Sequence, residues 1–517
     1  MELIKDTIKV DNRVDFGTHK TFLEWDVVVP DSKDDVFEIV KAEGYISLKK
    51  EDIMEGKIIL RGDLNYNIVY LTQSRKVVSL MGKTDFNQAI EKEYVKIGMR
   101  SLLDTEIEHI DCNISNERKL KLAAVANVKG ALFEREKIDI IRQISDLEDV
   151  QSYRKDIEYE NIVGIESGES TVKETIHIDQ NIGDISDVVS LSPRVVLRET
   201  RISDNKVILG GVLEVAPVFL STDGNVIKLN KSNIDFTQFI EVPGAYDGMR
   251  EDTVVNLTEF NFNLRGNEEG KISALEIEAS VRSKTKISET VIKEILQDAY
   301  CPHRGIKLEQ KDIALNTLVS TGTDNFLIKE TVVKDREDIQ IKEIVNLQCD
   351  ILVTGNLVLD GKNIIEGVTS LNIDYIPEEG LRPIYSMHEE IPFKHIIDIE
   401  KCKEGMRANN KVQVSSLSYS ISKDEIEVQI KGFCSYEIQE DKKYRFLVNG
   451  ELQETVDPSK RASITIYISR EGETLWDVAK RYNATLEEIA STNELSVDAV
   501  LKEGQCLIIE KKVVCEI

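Results

Sequence analysis

Catalysis needs a nucleophile, base or metal set whose members can converge, and this 517-residue chain offers few such sets. Its six histidines, His19, His109, His177, His303, His388 and His395, lie far apart, none in H-E-x-x-H spacing. Cys301-Pro302-His303 is the closest thiol–imidazole pair in the sequence. Two ligands make a poor zinc site, and a turn that ends a helix accounts for the tripeptide without a metal. No G-x-x-x-x-G-K-[ST], G-x-G-x-x-G or G-x-S-x-G occurs. Gly210-Gly211 falls in a strand pattern, where glycine marks a bulge or a close backbone approach. Glu378-Glu379 and Glu389-Glu390 stand among 93 acidic residues and read as solvated faces. No catalytic residue, metal or cofactor is expected, and the chain reads as a non-enzyme.

Composition narrows the partners. Lys and Arg number 66 against 93 Asp and Glu, a net charge of −27 that repels nucleic acid and anionic lipid. Apolar content of 41% is that of a globular protein, long enough for about three to five domains. Met1 to Asp6 lacks the basic start and apolar run of a secretory signal, and no apolar stretch is long enough to span a membrane. Seven scattered cysteines, none as C-x-x-C, fit free thiols in a reducing cytosol. The expectation is a cytosolic protein without nucleic-acid partner or direct membrane insertion.

Internal repetition organises residues 16 to 450. Gly-Met-Arg recurs at 98–100, 248–250 and 405–407. Upstream of each stands a landmark glycine, Gly62, Gly211 or Gly367, and the separations Gly62–Gly98, Gly211–Gly248 and Gly367–Gly405 are 36, 37 and 38 residues. After each landmark comes a period-two run: Leu64, Tyr66, Ile68 and Tyr70; Leu213, Val215, Pro217 and Phe219; Leu371, Ile373 and Tyr375. That is a half-buried strand repeated in one register. Phe86 and Ile90, Phe236 and Ile240, and Met387 and Ile391 precede Gly-Met-Arg as a second matched set. In the third copy a Ser-Lys-Asp-Glu turn at 422–425 predicts a hairpin. Gly-Met-Arg itself reads as a structural turn rather than a thrice-repeated arginine ligand site. Val291, Ile292, Ile295 and Leu296 keep helical spacing, so Glu289 to Tyr300 is expected to be a helix stopped by Pro302. The repeats are placed at 1–160, 161–311 and 312–453, followed by a linker at 454–463 containing Asp457-Pro458-Ser459 and a small domain at 464–517.

The small domain reads strand, helix, helix, strand. Ile464, Thr465, Ile466 and Ile468 form a β-branched run, and Leu507-Ile508-Ile509 closes the domain. Thr474 caps a helix whose Leu475, Val478, Ala479 and Tyr482 share one stripe, and Thr485 with Glu488 makes a capping box for the next. Tyr467, Gly472, Thr474, Leu475, Trp476, Ala479, Tyr482, Leu486, Ile489, Asn493, Leu495, Gly504, Gln505 and Leu507-Ile508-Ile509 give this stretch its resemblance to the LysM module. The resemblance implies a βααβ fold and, in its usual use, binding to the N-acetylglucosamine backbone of peptidoglycan. By that resemblance the candidate glycan-binding residues are Gly472, Glu473, Thr474 and Leu475 in one loop and Leu495, Ser496, Val497 and Asp498 in the other. Two departures argue against glycan. Ser469 stands where the family has a core Val, which leaves Ile464, Ile466 and Ile468 either exposed as a protein-contact stripe or buried by a one-residue slip. Glu503 replaces the usual Pro, and Glu471 and Glu473 crowd the first loop. The candidate partner-binding residues are Ile464, Ile466, Trp476 and Tyr482.

Triplicate landmarks followed by a LysM-like module resemble the SPOCS-domain spore-coat morphogenetic proteins of clostridial endospore formers. The resemblance implies a mainly β multidomain fold: three tandem β-rich SPOCS repeats with short helices, then a small βααβ module. It also implies a non-enzymatic structural adaptor in the mother-cell cytoplasm, at the forespore surface and later in the spore coat. There the LysM-like tail would bind the coat ATPase SpoIVA, with other coat proteins as further partners. The alternative is a peptidoglycan-binding protein of the cortex or cell wall.

Overall fold

A computed structural model describes residues 1–333, 340–380, 382–422, 425–455 and 462–510. Its first unit holds β1 (Glu2–Val28), β2 (Glu38–Met54), β3 (Lys57–Leu71), β4 (Val77–Glu91), β5 (Arg100–Asn116) and β6 (Lys119–Ser145). The second holds β7 (Gln151–His177), β8 (Ile185–Ser190), β9 (Arg194–Ser203), β10 (Lys206–Val215), β11 (Val218–Ser221), β12 (Val226–Lys228), β13 (Ser232–Glu241), β14 (Arg250–Gly266) and β15 (Ile272–Tyr300). The third holds β16 (Arg304–Val333), β17 (Ile341–Leu359), β18 (Lys362–Pro377), β19 (Tyr385–Asp398), β20 (Arg407–Ile421) and β21 (Glu425–Thr455). The tail is β22 (Ile464–Ile468), α1 (Leu475–Tyr482), α2 (Leu486–Thr492) and β23 (Cys506–Glu510).

The three units repeat one antiparallel plan. A sheet ordered β2-β3-β4 faces one ordered β1-β6-β5; the third unit matches it with β17-β18-β19 and β16-β21-β20. In the second unit β14-β15-β7 is the long sheet, and Pro193 and Pro217 divide the other into β13-β10-β9 and β12-β11-β8, since proline cannot donate to a ladder. The period-two runs are the central strands: Leu64, Ile68, Tyr70, Leu213, Val215, Phe219, Leu371, Ile373 and Tyr375 are all buried. Each landmark glycine lies where the neighbouring strand presses in. A Cβ on Gly62 would stand 2.0 Å from the Ser47 carbonyl oxygen, and one on Gly367 2.3 Å from that of Leu352.

The expected helix at Glu289–Tyr300 is instead the end of β15, paired with β7 from Gln151 to Asn161. A register shift between Leu296 and Asp298 lets the consecutive Ile295 and Leu296 both bury, which imitates helical spacing, while Ile292 is left exposed. Pairing with a long partner strand overrides the local pattern. The boundaries expected at 160/161 and 311/312 fall inside β7 and β16, which begin at Gln151 and Arg304. The hairpin expected near 422–425 joins β20 to β21, Ile421 facing Ile426; Lys423 and Asp424 lie outside the described residues, as does Asp457-Pro458-Ser459.

The long strand pairs β1/β6, β7/β15 and β16/β21 converge on a shared core of Ile8, Val10, Ile138, Ile140, Ile157, Tyr159, Ile295, Ile313, Leu315 and Phe446. Val10, Tyr159 and Leu315 hold equivalent places on the first strand of each unit, and the next residue in each case is polar: Asp11, Glu160 and Asn316. These face the Gly-Met-Arg arginines. Arg100 lies 2.8 Å from Asp11 and Arg250 3.6 Å from Glu160. With its amide in the hydrogen-bonding orientation, Asn316 accepts from Arg407 at 2.6 Å. The preceding glycines take φ of 89°, 93° and 89°, a left-handed turn suited to glycine. Gly-Met-Arg thus makes the turn that delivers an arginine onto its own unit's first strand.

Ion pairs and hydrogen bonds also cross between units. Buried Lys41 of the first reaches Asp374 of the third at 2.7 Å and its own Glu43 at 2.9 Å. Asp252 of the second meets Lys411 of the third at 2.6 Å. Lys284 of the second donates to Glu51 and Ser101 of the first.

Candidate functional site

In the tail, β22 and β23 pair antiparallel with Ile464 opposite Glu510, Ile466 opposite Ile508 and Ile468 opposite Cys506. Opposed residues share a face. Thr465 and Tyr467 turn toward the helices, and Leu507 and Ile509 are buried against them. The slipped register does not occur. Ser469 is buried, donating to the Lys502 carbonyl oxygen at 2.5 Å and accepting from the Gln505 amide at 3.1 Å, so a hydroxyl bonded to the closing loop fills the place of the core Val. The isoleucines consequently point outward: Ile464 is 62% exposed, Ile466 70%, Ile468 63% and Ile508 41%. With the exposed thiol of Cys506 they form an apolar face on a two-stranded sheet. Ile508 and Cys506 were not among the candidate partner-binding residues read from the sequence. The alternation Cys506-Leu507-Ile508-Ile509-Glu510 carried the signal, but only pairing with β22 puts the two strands' outward residues side by side.

Trp476 is not on that face. It is 7% exposed and packs on the ends of β7 and β15, its ring 4.9 Å from that of Tyr300 and 5.4 Å from that of Tyr153. Its indole Nε1 donates to Asp298 at 3.0 Å, Lys480 donates to the same carboxylate at 2.6 Å, and the Tyr300 hydroxyl donates to the Ala484 carbonyl oxygen at 2.8 Å. Burial pushes the Tyr300 hydroxyl pKa upward, so it stays a donor. Tyr300 belongs to the tail's own core cluster. The aromatic expected as a partner anchor is therefore the anchor of the tail on its own chain. The reason is register: β7 and β15 carry Tyr153 and Tyr300 to one end of the long sheet, where Asp298 follows the shift in β15. Tyr482 is half-buried and edge-on to Tyr467 at 5.5 Å, a helix-packing role.

Both expected caps form. Thr474 and Thr485 accept from the Asp477 and Glu488 amides, and each acid returns a bond to its cap amide. Of the residues matched to a glycan groove, Leu475 is buried, Leu495 half-buried, and Gly472, Thr474, Ser496, Val497 and Asp498 are exposed. Glu473 is committed internally. It accepts from the Tyr467 hydroxyl at 2.6 Å, the Arg470 amide at 2.9 Å and Arg481 at 2.8 Å, and the Tyr467 bond, with the others, lowers its carboxyl pKa to about 2. Thr474 also pairs through its backbone with Val500.

Among the described residues no group of three or more His, Cys, Asp and Glu could hold a metal ion, and no helix is long and apolar enough to cross a membrane. Burial raises the pKa of the Cys112, Cys349 and Cys434 thiols to about 12, against nucleophilic use.

A family profile described as SipL, SPOCS domain matches residues 35–115, 184–265 and 340–422, and a LysM domain profile matches 467–510. The chain carries three SPOCS domains and a C-terminal LysM domain. Each SPOCS span begins just before the short sheet of its unit and ends in the strand after Gly-Met-Arg, at β5, β14 or β20. The strands β1, β7 and β16, which converge centrally, precede the three spans. This domain composition supports a spore-coat morphogenetic, adaptor role. No curated protein and no solved structure matches the chain.

Proposed function

We propose that this SPOCS–LysM chain is a non-enzymatic adaptor that binds the coat ATPase SpoIVA through the outer face of its LysM sheet and so promotes encasement of the forespore by coat. The observation that carries the reading is the uncovered stripe of Ile464, Ile466, Ile468 and Ile508. Covering four such side chains is worth a gross stabilisation of about 5 kcal/mol before the costs of association. A sheet this narrow also leaves strand edges that a partner can extend. The three SPOCS units, pinned together and to the LysM module, hold that face at a fixed place on a large acidic body. ATP hydrolysis belongs to the partner, and the setting is the mother-cell cytoplasm at the forespore surface. The tie of Glu473 to Tyr467 and Arg481 weighs against peptidoglycan as the ligand, because it occupies a carboxylate in the first groove loop.

The test is to incubate the full-length chain separately with the coat ATPase and with purified peptidoglycan. Association with the ATPase and none with glycan is expected. Sedimentation with glycan and no association with the ATPase overturns the reading.

A further inference from the structure

We propose that two copies of this chain associate by pairing the free edge of β22 with itself, antiparallel and centred on Ile466, so that two LysM sheets become one sheet ordered β23-β22-β22-β23. The pairing uses a strand edge and leaves the outer isoleucine faces open, so it stands apart from what those faces bind.

Backbone geometry singles out that edge. Successive residues of an antiparallel strand turn their N–H and C=O groups alternately toward the neighbouring strand and away from it. The Ser469 amide donates to the Gln505 carbonyl oxygen at 3.0 Å, so in this register Thr465 and Tyr467 bond to Ile509 and Leu507, while Ile464, Ile466 and Ile468 direct their backbone groups away from β23. On β23 the outward groups of Ile508 are taken: the Asn493 side chain donates to its carbonyl oxygen and accepts from its amide, both at 2.7 Å. That cap blunts the β23 edge. Among the described residues β22 has no such cap and pairs with no strand but β23. Ile464-Thr465-Ile466-Tyr467-Ile468 also contains none of the lysine, proline or bulge by which edges are usually protected. The bonds that fasten the module to the SPOCS body involve Trp476, Lys480, Ala484 and Leu486, none of them on β22.

The strand that fits this edge is β22 itself. Turned about a two-fold axis through Ile466, it sets Ile464 opposite Ile468 of the second copy and Ile466 opposite Ile466, each pair exchanging both N–H···O bonds. Isoleucine then meets isoleucine on the outer face and Thr465 meets Tyr467 on the helix side, with no charged residue in either strand to repel its counterpart. A strand of 5 residues buries less than the roughly 1,200 Å² of a lasting interface, so the dimer is transient and dissociates on dilution.

The full-length chain is followed by sedimentation velocity from about 1 to about 200 µM in about 0.3 M salt, where the repulsion between two chains of net charge −27 is screened. A reversible monomer–dimer equilibrium is expected, its dissociation constant raised at least about tenfold by Ile466→Pro. Proline there removes an N–H that faces away from β23, a substitution that edge strands tolerate. In a Cys506→Ser, Cys515→Ser background, Ile466→Cys is expected to cross-link two copies on mild oxidation, and Ile508→Cys, one strand farther from the axis, to cross-link far less. That readout stands even if the proline variant unfolds. A chain that stays monomeric throughout, a dimer that folded Ile466→Pro leaves unchanged, or cross-linking of Ile508→Cys as readily as Ile466→Cys, the mark of sheets stacked face to face, overturns the proposal.

Discussion

Asp298→Ala removes the acceptor that fastens the LysM module to the SPOCS body. The hydrogen bond from the Trp476 indole is made to a charged, mostly buried carboxylate, and such bonds are worth about 1.5–3 kcal/mol. Lys480 adds less than about 1 kcal/mol because its side chain is 43% exposed and solvent-screened. The expected loss is therefore about 2–3 kcal/mol, a fall of roughly 30- to 150-fold in the docked-to-undocked ratio. The module's own core, including Leu475, Val478, Ala479, Ile489 and Leu507, does not involve Asp298, so it stays folded. With Trp25 changed to Phe, Trp476 is the sole tryptophan. Its emission should shift to the red and become quenchable by iodide in Asp298→Ala, and much less so in Lys480→Ala. An Asp298→Ala protein whose emission and quenching match those of the parent refutes the docking argument.

Gly62→Ala forces a Cβ against the Ser47 carbonyl oxygen, backbone that cannot swing aside, and should destabilise the chain by about 2 kcal/mol or more in denaturant unfolding; an unchanged midpoint contradicts the close approach. Lys41→Met leaves Glu43 and Asp374 buried without their cation, with an expected loss of about 3–5 kcal/mol, whereas exchange of exposed Lys76 should change little. Because the Glu473 pKa is lowered from 4.5 to about 2 in the fold, its contribution is complete above pH 4.5 and disappears as pH falls toward 2. Thermal unfolding of the LysM module followed across that window should be less pH-dependent in Glu473→Gln, and an identical pH profile contradicts the assignment.

Much of the fold was legible because its signals are local. Glycines, an alternating strand and Gly-Met-Arg recur at near-constant separation, and Thr474 and Thr485 announce their helices by short-range capping. Partnerships set by distant pairing were not legible. Ile295 and Leu296 look helical until β7 lies beside them and a bulge buries both. Trp476 looks like an interface anchor, and is one, but its partners Tyr153, Asp298 and Tyr300 lie more than 170 positions earlier in the same chain. The ambiguity between exposed isoleucines and a slipped strand was likewise resolved by non-local bonds, those of Ser469 with Lys502 and Gln505.

The most direct test of the adaptor account is the affinity of the full-length chain for the coat ATPase in Ile464→Arg and Ile466→Arg, beside Asp298→Ala as a control. Both isoleucines are exposed, so the substitutions leave folding intact, and each should weaken binding by about 2 kcal/mol or more. Asp298→Ala should bind as the parent does, because docking and partner faces are separate. Folded Ile464→Arg and Ile466→Arg proteins that bind the ATPase with unaltered affinity would contradict the account.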